Sequence, residues 1–158
     1  MKIRLISMTV LACLVLATTP IALAADYDVE LVVPSGKKTK ETDSVLSFGD
    51  SEMSVTPDKQ KFKNDAKTFA FEDIESAEYS YAKKPMLSGG GAIATALVAG
   101  LFVLPFLFMK KKKHWITVQT ETEFAVIKMK KSNYRSILAE FKTNGVEVVE
   151  IKEEKKDK

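Results

Sequence analysis

From Pro85 to Met109 the chain runs for 25 residues without a charge, then stops at Lys110-Lys111-Lys112-Lys113. A soluble domain of this size has no use for such a run in its middle, so a bilayer is the first environment it points to. As a helix, the densest part (Ala92 to Met109) rises about 27 Å, against a hydrocarbon core of about 30 Å. Adding Leu87 to Gly91 makes it long enough. Ala92, Ala96 and Gly100 recur at four-residue spacing, a pattern that lets two helices approach closely, although alanine and glycine are common in membrane helices anyway. Pro105 weakens or kinks the C-terminal part of any helix here.

A second apolar stretch opens the chain. Lys2 and Arg4 precede Leu5 to Ala25, and Ala22-Leu23-Ala24 puts small residues at the −3 and −1 positions of a cleavage site. This is the layout of a secretory signal peptide, with removal expected after Ala24. The only cysteine, Cys13, lies inside it, so the mature chain is expected to carry no thiol or disulfide. The remainder suffices for one domain with a modest core. Its charge is uneven: residues 26–85 carry 9 lysines and 13 acidic residues, whereas residues 110–158 carry 13 basic and 8 acidic ones. Positive charge is therefore concentrated beside the apolar run, where anionic headgroups are expected. Nucleic acid is a poor partner for an exported chain.

The rest reads as strands. Asp26 to Val33 alternates apolar and polar residues, the period of a strand, and Pro34-Ser35-Gly36 ends it. Residues 37–43 are polar without period and read as a loop. Val45 to Phe48 and Glu52 to Thr56 form a hairpin about Gly49-Asp50, and residues 58–67 a charged, solvated loop. Thr68 to Phe71 and Ile74 to Tyr81 follow, the latter with a parity slip that predicts a bulge near Ser76. Beyond the run, His114 to Thr120 and Phe124 to Met129 form a second hairpin about Glu121-Thr122-Glu123. Tyr134, Ile137, Leu138 and Phe141 mark one face of a helix, with Ser132 or Asn133 as N-cap and Asn144-Gly145 as its stop. Val146 to Ile151 is a short β-like segment.

This order resembles a PH-like barrel of the GRAM or bacterial PH type, about seven strands plugged by a C-terminal helix. The likeness rests on Val45-Leu46-Ser47-Phe48 with Met53-Ser54-Val55, on Phe69-Ala70-Phe71-Glu72-Asp73-Ile74-Glu75-Ser76-Ala77-Glu78-Tyr79, and on Asn133-Tyr134-Arg135-Ser136-Ile137-Leu138. It covers roughly residues 44–145 without the apolar run. The chain also resembles bacterial exported proteins that carry a Lys-Lys-His-Trp strand after an apolar segment. The expected fold is mainly β with one C-terminal α-helix, a PH-like small barrel with a hydrophobic helical or hairpin insertion. The expected organisation is signal peptide 1–24, N-terminal strand and linker 25–43, first part of the barrel 44–85, membrane segment 86–109, second part and closing helix 110–151, and charged tail 152–158.

Two topologies follow. If the run crosses once, the residues before it are exported and Lys110 onward is cytoplasmic, in keeping with the positive-inside tendency. A bilayer cannot divide a sheet, however, because each half exposes unpaired edges. If the run instead turns back near Gly100 or Pro105, both flanks stay on the exported side and the barrel is whole.

No catalytic centre, metal site or cofactor is expected. His114 is the only histidine and has no carboxylate or cysteine cluster around it. Gly89-Gly90-Gly91 lacks the Lys-Ser/Thr of a phosphate loop. Asp73 with Glu75, and Glu121 with Glu123, read as solvated turn residues. The expected function is a noncatalytic, membrane-anchored PH-like module on the exported side, binding a partner protein or lipid headgroups. Its candidate membrane-surface contacts are Lys110, Lys111, Lys112, Lys113 and Trp115, the last equally readable as a barrel core or rim residue. The competing class is a bitopic structural or signalling subunit that forms homo-oligomers through Ala92, Ala96 and Gly100.

Overall fold

The computed structural model describes residues 25–35, 38–85 and 111–152. Residues 1–24, expected to be a signal peptide, the run 86–109 with Ala92, Ala96 and Gly100, and Lys110 lie outside the described residues. The strands are β1 (Ala25–Ser35), β2 (Lys38–Phe48), β3 (Glu52–Pro57), β4 (Lys67–Ala70), β5 (Ser76–Ala82), β6 (Lys113–Gln119), β7 (Phe124–Met129) and β8 (Val148–Ile151). One helix, α1 (Tyr134–Thr143), lies between β7 and β8. The strands form one eight-stranded sheet in the order β4-β3-β2-β1-β7-β6-β5-β8. All pairings are antiparallel except β5 with β8. The sheet curls into a half-barrel around α1, which fits the PH-like architecture. Among the described residues it is open, with β4 and β8 as its edges, and has one strand more than the resemblance implies.

Alternation decides what the curl encloses. Val29, Leu31 and Val33 of β1 share the inner face with Leu46 and Phe48 of β2, Ile116 and Val118 of β6, and Ile127 and Met129 of β7. The amphipathic α1 presses Ile137 and Phe141, both fully buried, into that concavity. Phe141 meets Phe48 edge-on at 5.1 Å between ring centroids, and Phe48 also stacks on Phe71. Each such side chain contributes about 1.5–3 kcal/mol on burial. A Schellman arrangement stops the helix: Gly145 at φ +79 donates to Lys142, and the Val146 N–H donates to the Phe141 carbonyl at 2.9 Å. That turn sends the chain into β8 alongside β5.

Two local expectations are corrected, and the N-cap, at Asn133 as expected, works differently. Residues 38–43, read as loop and linker, belong to β2, which pairs with β1 from Ala25↔Phe48 to Ser35↔Lys38. No apolar period marked them because the buried inner positions are Thr42 and Ser44, with the Ser44 hydroxyl donating to the Thr42 carbonyl at 3.0 Å. β-Branched threonine suits a strand without signalling one by hydropathy. The bulge near Ser76 is replaced by a regular register, Ser76↔Gln119 to Ala82↔Lys113. The parity slip arises because Ile74 lies outside β5, after a 3-10 turn at Phe71–Asp73. Asn133 occupies the N-cap position but makes no side-chain cap. Its amide instead donates to the Asp28 carbonyl at 2.7 Å, tying the start of α1 to β1.

On the outer face, Lys128 of β7 sits between Glu30 of β1 and Glu41 of β2. Burial works against the Lys128 charge, but the two carboxylates outweigh it and raise its pKa. Burial and the neighbouring Glu30 push Glu41 up despite Lys128, whereas Glu30, although also penalised by burial, is held down chiefly by Lys128. The cation thus joins three strands across the middle of the sheet.

The pairing of β5 with β6 has a consequence for the insertion. Ala82 and Lys113 are cross-strand partners, so the segment between them leaves and returns at points about 5 Å apart. The strands before and after the apolar run form one sheet.

Candidate functional site

The neighbouring strands β5, β6 and β7 gather charge at their ends. β5 finishes at Ala82 and continues into Lys83 and Lys84, β6 begins at Lys113 after Lys111 and Lys112, and β7 finishes at Met129 before Lys130 and Lys131. Register puts these ends together, since Ala82 faces Lys113 and His114 faces Met129. All seven lysines are exposed. Segments 79–85, 111–120 and 124–139 contain no acidic residue. Asp28 of β1 supplies opposing charge to Lys130 at 3.0 Å. The apolar run is rooted in this basic end.

Just inside it lies a cluster of four rings. His114 is sandwiched between Tyr134 of α1, at 3.8 Å between centroids, and Tyr81 of β5, at 4.6 Å. The Tyr79 hydroxyl is hydrogen-bonded to Nδ1 of His114 at 2.8 Å. The sole histidine therefore closes this end of the core and joins α1 to β5 and β6.

Burial, and secondarily the positive charge of Lys131, lower the His114 pKa. The folded chain then resists a proton that the unfolded chain accepts near its ordinary pKa of about 6.5. The stability this confers is present above that pH and is lost as pH falls through the folded value. Urea midpoints should drop between about pH 7.5 and pH 5.5, and a His114→Phe variant should lose the part of that drop assigned to imidazole. An equal drop in the variant would remove His114 as its source.

The opposite ends of β5, β6 and β7 are acidic. Glu72, Asp73 and Glu75 precede β5, and Glu121 and Glu123 fill the β6–β7 turn. The two carboxylate pairs that sequence reading set apart as separate turns line one open groove of about 520 Å3. Lys67 bonds Glu123 there at 3.1 Å. The turn itself is closed by the Thr120 hydroxyl, which accepts from the Glu123 N–H at 3.1 Å. Among the described residues no group of three or more His, Cys, Asp or Glu side chains is arranged to hold a metal ion.

The sequence-selected residues divide. Lys111, Lys112 and Lys113 lie exposed at the basic end, where Lys83, Lys84, Lys130 and Lys131 join them. Trp115, expected among the surface contacts, is corrected: it is fully buried, and its indole N–H donates to the Ala82 carbonyl at 3.1 Å. A ring committed in this way presents nothing to a surface. The His114 cluster escaped sequence reading. Its signal was the hairpin register pairing Tyr81 with His114, hidden because the two strands are separated by the insertion. Among the described residues no helix is long and apolar enough to cross a membrane.

No family model matches the chain, and no curated protein matches it. Among solved structures it is similar to the hSac2 domain from the human phosphoinositide phosphatase Sac2, at 15% identity and a TM-score of 0.51, covering 98% of this chain and 92% of that one. It is also similar to a chain of the Spt16D–Pob3N heterodimer, at 11% identity and a TM-score of 0.48, covering 87% of this chain and 59% of that one. The second likeness is too remote to carry an argument, and the first is one of fold alone.

Proposed function

We propose that the protein is a noncatalytic, membrane-anchored PH-like module whose half-barrel stands on the exported side of a bacterial-type membrane and binds lipid headgroups or a partner protein. The observation that carries this reading is the β5–β6 pairing across the apolar run. An anchor rooted at Ala82 and Lys113 enters and leaves the bilayer from one side. Folded back on itself, the run of 25 residues gives two arms of about 12 residues, or about 18 Å each as helix. That is short of the ~30 Å core, so the anchor is re-entrant. Lysines flanking both ends suit the headgroup layer. The likeness to a domain of a phosphoinositide phosphatase is in keeping with a lipid-related module. A bitopic subunit places β5 and β6 on opposite sides of the membrane, which costs the whole length of their pairing.

The test uses a Cys13→Ser background, free of native thiols, with one cysteine before the run (Glu52→Cys) or after it (Lys142→Cys), both at exposed positions. A membrane-impermeant maleimide applied to intact cells with permeable outer layers is expected to label both. Labelling of Glu52→Cys alone, with Lys142→Cys reacting only after lysis, would establish a single crossing and end the re-entrant reading.

A further inference from the structure

We infer that the lysine end of β5, β6 and β7 docks end-on against an anionic lipid surface, so that Lys83, Lys84, Lys130 and Lys131 act with Lys111 to Lys113 as one contact. This rests on the membrane attachment proposed above and names the lipid chemistry that attachment prefers. Two observations carry it. The first is convergence: lysines from three separate segments reach one end of three neighbouring strands, in stretches without an acidic residue. The second is polarity: the other ends of the same strands bear Glu72, Asp73, Glu75, Glu121 and Glu123.

Strands of about seven residues separate the two charged ends by about 23 Å, more than two Debye lengths at physiological salt. An anionic surface therefore attracts one end while hardly sensing the other, and the attraction turns the domain as well as holding it. The root of the apolar run lies at the attracted end, so insertion and electrostatics impose the same orientation. An acidic protein partner fits the lysines less well, because it gives no reason for an apolar segment to rise from their midst.

The mature chain, synthesised cell-free in the presence of vesicles, is floated with phosphatidylcholine alone and with phosphatidylcholine plus phosphatidylserine. The expected result is stronger association with the anionic vesicles, declining with salt. A K83Q/K84Q/K130Q/K131Q variant, which keeps the run and Lys110 to Lys113, should lose at least about tenfold of that preference with unchanged flotation on phosphatidylcholine. Equal flotation on the two vesicle types by the unaltered chain, or an unchanged preference in the variant, overturns the inference. Flotation confined to anionic vesicles, and abolished in the variant, sustains the docking and instead removes the anchoring role of the run. Orientation is read with a dye on Ser132→Cys or Thr122→Cys and a quencher attached to lipid. Quenching at Ser132→Cys alone is expected, and equal quenching at both overturns the end-on arrangement.

Discussion

A chain in which residues 84–111 are replaced by Asn-Gly is expected to fold into the same half-barrel. The replacement leaves Lys83 and Lys112 one step beyond the Ala82↔Lys113 pair, flanking a two-residue loop of the type that closes antiparallel hairpins. None of the described residues of the core cluster is removed. Loop-closure entropy favours the short form, because reducing a loop of about 30 residues to a tight turn saves about 1–2 kcal/mol. Cooperative urea unfolding, followed by the single tryptophan and by far-UV circular dichroism, should show stability equal to or above that of the full chain. Association with phosphatidylcholine vesicles should vanish. A shortened chain without a cooperative transition would mean that the run supplies part of the core, and would refute both the independence of the sheet and the anchoring role.

That expectation was only half legible in the sequence. Period-two alternation located β1 and β3, and the spacing of Tyr134, Ile137, Leu138 and Phe141 located α1, because in each case one face is apolar and the other is not. The β6–β7 hairpin was marked by its polar Glu121-Thr122-Glu123 turn between two apolar segments. The first half of β2 had no such contrast, with Thr42 and Ser44 at its inward positions. What joins β5 to β6 is invisible locally, since register is a property of two segments and here they lie on either side of the insertion. The same limit hid the site. Lys110 to Lys113 is conspicuous as a run, but Lys83, Lys84, Lys130 and Lys131 become its neighbours only once the strands pair. Trp115 misled for the opposite reason. Its place beside four lysines suits an interfacial ring, yet its indole N–H reaches across to β5 and the ring is buried.

Phe141→Ala is expected to cost about 3–5 kcal/mol, a large part of the 5–15 kcal/mol that holds a domain together. A helix of ten residues is marginal by itself in water, so α1 persists because the half-barrel accepts its apolar face. Phe141 is the larger of its two fully buried side chains. It has no exposure and rests edge-on against Phe48. Its carbonyl also accepts the Val146 N–H that turns the chain toward β8. Truncation opens a cavity where helix, β2 and the final turn meet. The loss should appear as a lower urea midpoint with an unchanged slope, whereas Arg135→Ala, at an exposed position of the same helix, should shift stability by no more than about 0.5 kcal/mol. A loss below about 1 kcal/mol for Phe141→Ala would show that α1 rests on the sheet without plugging it, and the half-barrel would then have to owe its closure to other contacts.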